Sequence, residues 1–172
     1  PRTAGFNAID YGQAHPITLM GTDILMFIGG GSAGTAGGIK VTTACVLLAA
    51  MAAEFTGRET TTIGHRSLPR SVTRQALALS FAGVMVVTLG VAALRFFDTE
   101  FSGDQVSFEV LSAFATVGLS TGITASLSAP SQIVLCLIMY LGRVGPTTLV
   151  AALAAKTVSR RFSYPEERPF LG

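Results

Sequence analysis

From Ala76 to Leu94 the chain runs 19 residues without a charge, fenced by Arg74 and Arg95. At a rise of about 1.5 Å per residue such a run crosses a hydrocarbon core roughly 30 Å thick. The rest of the composition agrees. Only 13 % of residues are charged, against about 25 % in ordinary soluble domains, and mean hydropathy is +0.56. A chain this poor in charge cannot coat a globule with water-compatible surface. Its net charge of +2 is too small and scattered for a nucleic-acid partner. Cys45 and Cys136 each sit inside an apolar stretch and read as buried thiols, not as a disulfide framework or a zinc site.

Two further apolar segments are interrupted. Ser131–Ala155 carries one charge, Arg143, and Ile24–Ala53 is broken by Gly29–Gly38 and Lys40. The stretch Val106–Leu119 is too short to cross and fits a re-entrant segment, with a short helix over Phe108–Ala115. Arg58, Arg66, Arg70 and Arg74 crowd the first connection, and Lys156, Arg160, Arg161 and Arg168 crowd the tail. Asp98, Glu100 and Asp104 lie between them without a base. The positive-inside rule puts both basic regions in the cytoplasm and the acidic one outside. Three crossings, over 17–53, 75–97 and 130–155, satisfy that alternation.

A repeat is visible. Thr3-Ala4-Gly5-Phe6 and Thr116-Val117-Gly118-Leu119 share one pattern, and each is followed by a polar stretch and a proline opening an apolar helix, Pro16 and Pro130. Gly29 lies 13 residues beyond the first proline and Gly142 lies 12 beyond the second. The first copy lacks its front half, and the chain opens at Pro1-Arg2 inside that motif, so we read it as a piece of a longer polypeptide. Non-helical backbone is tolerated inside a membrane only where protein buries it or water lines it. Glycine reaches positive φ, which lets successive carbonyls turn to one side, and a ring of carbonyls can replace the hydration shell of a potassium ion. The negative end of a short helix before the second loop would face that cation.

Arg2-Thr3-Ala4-Gly5-Phe6-Asn7, the run Gly29 to Lys40, and Thr116-Val117-Gly118-Leu119-Ser120-Thr121-Gly122 together resemble the Trk/Ktr/HKT potassium transporter superfamily. The resemblance covers essentially the whole chain, and the tail Tyr164-Pro165-Glu166-Glu167-Arg168 is most similar to the Ktr branch. One departure is Ala115, where many relatives have glycine. The resemblance implies an all-α integral membrane fold of helix–pore loop–helix repeats with broken transmembrane helices. Residues 1–53 would hold the filter loop and second helix of repeat three, 54–74 a cytoplasmic connection, 75–160 the complete fourth repeat, and 161–172 a cytoplasmic tail. It further implies potassium uptake across a bacterial inner membrane by a multi-pass subunit, with no enzymatic activity. Potassium would be the transported ion, with sodium as a further transported or coupling ion and no cofactor in this chain. Expected partners are a second copy of the full-length subunit and a cytoplasmic nucleotide-binding regulatory ring.

Residue by residue, the resemblance assigns the filter to Thr3, Ala4, Gly5 and Phe6 and to Thr116, Val117, Gly118 and Leu119, with backbone carbonyls of Thr3, Ala4, Thr116 and Val117 as ion ligands. It assigns an intramembrane gate to Gly29, Gly30, Gly31, Gly34, Gly37, Gly38 and Lys40, faced by Arg143. Simple energetics agree. Each glycine costs a helix roughly 1 kcal/mol relative to alanine, so six in ten residues forbid one. An arginine at mid-span costs about 2.5–3.5 kcal/mol on insertion scales and belongs against the bundle interior or water. Lys40 either lines the inner cavity or sits at the lower end of the loop. Two other readings remain: a non-conducting membrane scaffold of the same architecture, and a nucleotide-binding enzyme. The latter rests on Gly29-x-Gly31-x-x-Gly34, but no βαβ unit surrounds it and the acid at the right distance, Glu54, lies beyond a span. His15 and His65 have no partners at metal spacing and read as solvated.

Overall fold

The computed structural model describes residues 4–31, 36–57, 60–63 and 66–144. Its helices are α1 (Pro16–Phe27), α2 (Val41–Phe55), α3 (Arg70–Phe97), α4 (Gly103–Ala115) and α5 (Ala129–Val144). Strands β1 (Thr62–Ile63) and β2 (Arg66–Ser67) form a small antiparallel hairpin between α2 and α3, with Thr62 opposite Ser67. Among the described residues α3 alone is long and apolar enough to span a membrane, while α1, α2 and α5 are shorter apolar helices.

Local chemistry fixes most of these ends. Pro16 occupies the first turn of α1, where its missing N–H costs nothing, and the His15 ring nitrogen Nδ1 accepts from the Ile17 amide at 3.4 Å. The helix stops at Phe27, where the glycine-rich segment begins. The expected crossing over 17–53 is thus two helices, α1 and α2, joined through residues 28–40. Helix α4 starts five residues before the expected Phe108. Ser102 and Gln105 form a reciprocal capping box that satisfies two otherwise orphaned amides, and Asp104 in the first turn suits the helix dipole. Helix α3 likewise begins at Arg70, inside the expected connection 54–74. The expected crossing over 130–155 is described as far as Val144.

The short helix is the centre of the assembly. Helix α4 packs against α1, α3 and α5, and eight of its residues are buried. Leu94 of α3, Val106, Val110 and Phe114 of α4, and Leu135 and Ile138 of α5 form one apolar cluster. Leu19 and Met26 of α1 close on Phe108, Ala115 and Val117 in a second. Small residues set the spacing: a Cβ on Gly90 of α3 would lie 2.5 Å from Ile138 Cδ1 and 3.0 Å from Val110 Cγ1. Close helix approach through glycine is the usual device where lipid offers no hydrophobic drive between helices.

Candidate functional site

The two Thr-x-Gly loops meet. Gly5 has φ +68° and Gly118 φ +85°, and Gly118 lies against Gly5, so that a Cβ on Gly118 would come within 3.1 Å of Gly5 Cα. A Cβ on Gly5 would lie 2.9 Å from the Gly118 carbonyl oxygen. Both positions therefore require glycine twice over, by dihedral and by space. Before Gly118, α4 ends in an unusual way. Thr116 takes the left-handed conformation, φ 52° and ψ 42°, a rare state for a β-branched residue that costs about 1–3 kcal/mol. In return the Thr116 amide donates to Ala113 O at 3.2 Å and the Val117 amide to Ser112 O at 3.0 Å, so terminal carbonyls of α4 are satisfied. Val117 is buried, while Gly118 is exposed on this chain.

The glycine-rich segment docks directly beneath. Its two ends are laced by backbone bonds: the Gly29 amide to Ile39 O at 2.6 Å, the Ile39 amide to Phe27 O at 3.2 Å, and the Val41 amide to Gly30 O at 3.3 Å. Gly37 is buried, and its amide donates to the Thr116 hydroxyl at 2.9 Å, 79 residues away in sequence. A Cβ on Gly37 would lie 2.7 Å from Phe114 O and 3.0 Å from Gly142 O. Gly142 of α5 in turn abuts the Phe114 carbonyl so closely that no Cβ fits. Gly38, at φ +76°, faces Ala115 so that a Cβ built on it would lie 3.4 Å from the Ala115 Cβ, and the alanine that departs from the family pattern is a packing surface for the loop. Lys40 Nζ donates to Ala36 O at 2.8 Å, a bond within the C-terminal end of the segment.

Of the residues singled out by sequence, the structure brings Gly5 against Gly118 and Gly37 against Thr116 and α5. Ala4 and Phe6 are exposed beside Gly5, and Leu119 is half-buried. Gly31 has open space around it, and Arg143, next to Gly142, is exposed on this chain. Thr3 and Gly34 lie outside the described residues.

One residue escaped the sequence reading. Glu109, on α4, is only 5 % exposed. Its Oε1 accepts from the Ser120 hydroxyl at 2.5 Å, the Thr121 amide at 2.9 Å and the Thr121 hydroxyl at 3.2 Å, and its Oε2 from the Thr124 hydroxyl at 2.9 Å. A cleft of about 330 Å³ beside it is lined also by Thr116, Gly118 and Ser120. The available signal was a lone acid within an apolar helix followed by a run rich in hydroxyls; a buried carboxylate must find such donors. At the end of α3, Asp98 accepts from the Ser128 amide and hydroxyl, the latter at 2.8 Å. Hydrogen bonding from Ser131, and then from Ser128, holds its carboxyl below the ordinary carboxylate value.

Sequence comparison finds relatives among transport proteins. A family of cation transport proteins, TrkH, matches residues 1–163. The chain is 41 % identical over its whole length to the Ktr system potassium uptake protein B of Bacillus subtilis, and 39 % identical over its whole length to the potassium/sodium uptake protein NtpJ of Enterococcus hirae. Over 99 % of its length it is 36 % identical to the Ktr system potassium uptake protein B of Vibrio alginolyticus. It spans 38 %, 39 % and 37 % of the lengths of these three relatives. With a match over nearly every residue, this chain belongs to the TrkH family of cation transport proteins.

Proposed function

We propose that this chain supplies two of the four loops of a potassium-selective filter and the gate beneath them, in a multi-pass subunit of a bacterial inner membrane that takes up potassium. The observation that carries the reading is the meeting of Gly5 and Gly118, both at positive φ and so close that a Cβ on either would crowd the other, at the negative end of α4. Paired left-handed glycines turn neighbouring carbonyls to one side, and a helix C-terminus favours a cation there. Names of relatives speak for potassium, and one for potassium and sodium, so sodium enters as a second transported or coupling ion.

On this reading the third-repeat helix is α1 and α2, interrupted at mid-depth by residues 28–40, and α3, α4 and α5 make the fourth repeat. The interrupted segment obstructs the path at rest. Backbone bonds and the Thr116 hydroxyl hold it, and Arg143 adds donors for freed carbonyls and a charge that repels a passing cation. The full-length subunit pairs with a second copy, and a nucleotide-binding ring docks on the basic cytoplasmic face around Arg66, Arg70 and Arg74. Rubidium uptake by the complete subunit in a potassium-uptake-deficient bacterium, competed by sodium, tests the reading. Gly118→Ser should weaken discrimination against sodium; unchanged competition at matched expression would remove Gly118 from the filter.

A further inference from the structure

Resting on the filter reading above, we infer that Glu109 is a positioning residue for ion selectivity: its carboxylate fixes the outer rim of the fourth-repeat filter from behind. Apart from the apolar burial of Leu119 and Ile123, the segment after Gly118 is held by polar bonds. Its backbone passes through Gly118 at φ +85° and Gly122 at φ +93°, and no regular ladder of backbone bonds spans 118–122. What spans it is a single side chain. Glu109 collects the Ser120 hydroxyl, the Thr121 amide and hydroxyl, and the Thr124 hydroxyl, all within 3.2 Å. Two secondary bonds extend the network: Ser120 and Thr124 hydroxyls lie 2.8 Å apart, and the Gly122 amide donates to Ser120 Oγ at 2.9 Å.

Chemistry makes this arrangement suited to a filter. Charge-assisted bonds are shorter and stronger than neutral ones, and a buried carboxylate left without donors is costly, so network and charge enforce each other. The anchor itself is rigid, because Glu109 sits between the fully buried Phe108 and Val110 on the most enclosed helix of the fold. Gly118 thus lies between two residues bonded to α4, Thr116 through its amide and Ser120 through Glu109.

The test uses complete subunits bearing Glu109→Gln, Glu109→Ala or Thr124→Val, with rubidium uptake and sodium competition measured at matched membrane abundance. Glu109→Gln keeps an acceptor for the Thr121 amide but loses the charge, and should lower the preference for potassium over sodium about tenfold while uptake continues. Thr124→Val removes the hydroxyl's bonds to Glu109 and Ser120 at an exposed position and should lower it two- to fourfold, which guards against a Glu109 variant that fails to fold. Glu109→Ala should lose selective uptake altogether. If Glu109→Gln and Thr124→Val alter abundance or maximal rate yet leave the preference at its wild-type value, Glu109 is merely structural and the inference is overturned. Gly118→Ser run in parallel separates the two failures. A changed preference there with unchanged Glu109 variants sinks only this inference, whereas no change in any of them sinks the filter reading beneath it.

Discussion

Two glycine-bearing, non-helical segments flank the C-terminus of α4, and they are held by different means. Residues 116–124 are pinned by a buried carboxylate through four bonds to one side chain. Residues 28–40 include six glycines, and their described ends are laced by neutral backbone bonds, one lysine and one hydroxyl. Both are irregular, both touch α4, and both contain glycine at positive φ. The contrast follows from bond type. A charge-assisted network resists displacement, since releasing one donor leaves a buried charge under-satisfied. Neutral backbone bonds in a segment with open neighbours such as Gly31 can be exchanged for water at small net cost. On the proposed reading, this contrast would make one loop a fixed filter rim and the other a displaceable obstruction.

The sharpest way to break this comparison is to strain the pinned segment. Gly118→Ser places a Cβ at φ +85° and 3.1 Å from Gly5 Cα, and we expect at least a tenfold loss of discrimination between rubidium and sodium, read by uptake competition. Next comes the displaceable segment. Deleting several residues within 29–38, or Arg143→Gln, should raise the maximal uptake rate severalfold while leaving selectivity near wild type. Comparing Arg143→Gln with Arg143→Ala separates hydrogen bonding from charge, and an unchanged rate after deletion would mean this segment is no gate. A milder test cuts the bond from the Gly37 amide to the Thr116 hydroxyl, which joins the two regions. Thr116→Val removes the acceptor for the Gly37 amide, worth about 1 kcal/mol net, and should raise the maximal rate about two- to fivefold, whereas Thr116→Ser should behave as wild type.

The smallest effect concerns the end of α3, where Asp98 ties that helix to the start of α5. Its carboxyl is held below the ordinary value of 3.8 in the folded protein. A depressed folded value contributes stability that is fully present above the unfolded value and is lost as pH falls through the folded one. Thermal denaturation in detergent should therefore show wild type losing a small advantage over Asp98→Asn as pH drops below about 4; an equal gap at all pH values would mean ionisation is irrelevant to the contact.

Much of this was legible in the amino-acid order because it is local. A 19-residue charge-free run can only be a long apolar helix, and α3 contains it. Gly29–Gly38 cannot continue a helix, and α1 ends before it. Pro16 opens a helix wherever it falls early in an apolar run. Some local signals went unused: Ser102 and Gln105 spell a capping box that adds five residues to the front of α4. The hairpin at Thr62–Ser67 had no hydrophobic alternation to announce it, since both strands are exposed.

Partnerships across the chain were decided only in three dimensions. Nothing in the order of residues pairs the Gly37 amide with the Thr116 hydroxyl, or seats Gly142 on the Phe114 carbonyl, or sets Gly5 against Gly118. Each of these glycines leaves room for a close approach by its absent Cβ, but what approaches depends on how α4 is wrapped by α1, α3 and α5. Glu109 is the clearest case. Its type and its apolar neighbours demanded donors, and several hydroxyls lay downstream, yet only the reversal of the chain at Thr116 brings Ser120, Thr121 and Thr124 back onto the helix that bears it. Sequence fixes which groups must be satisfied; the packing of a buried helix fixes which partners satisfy them.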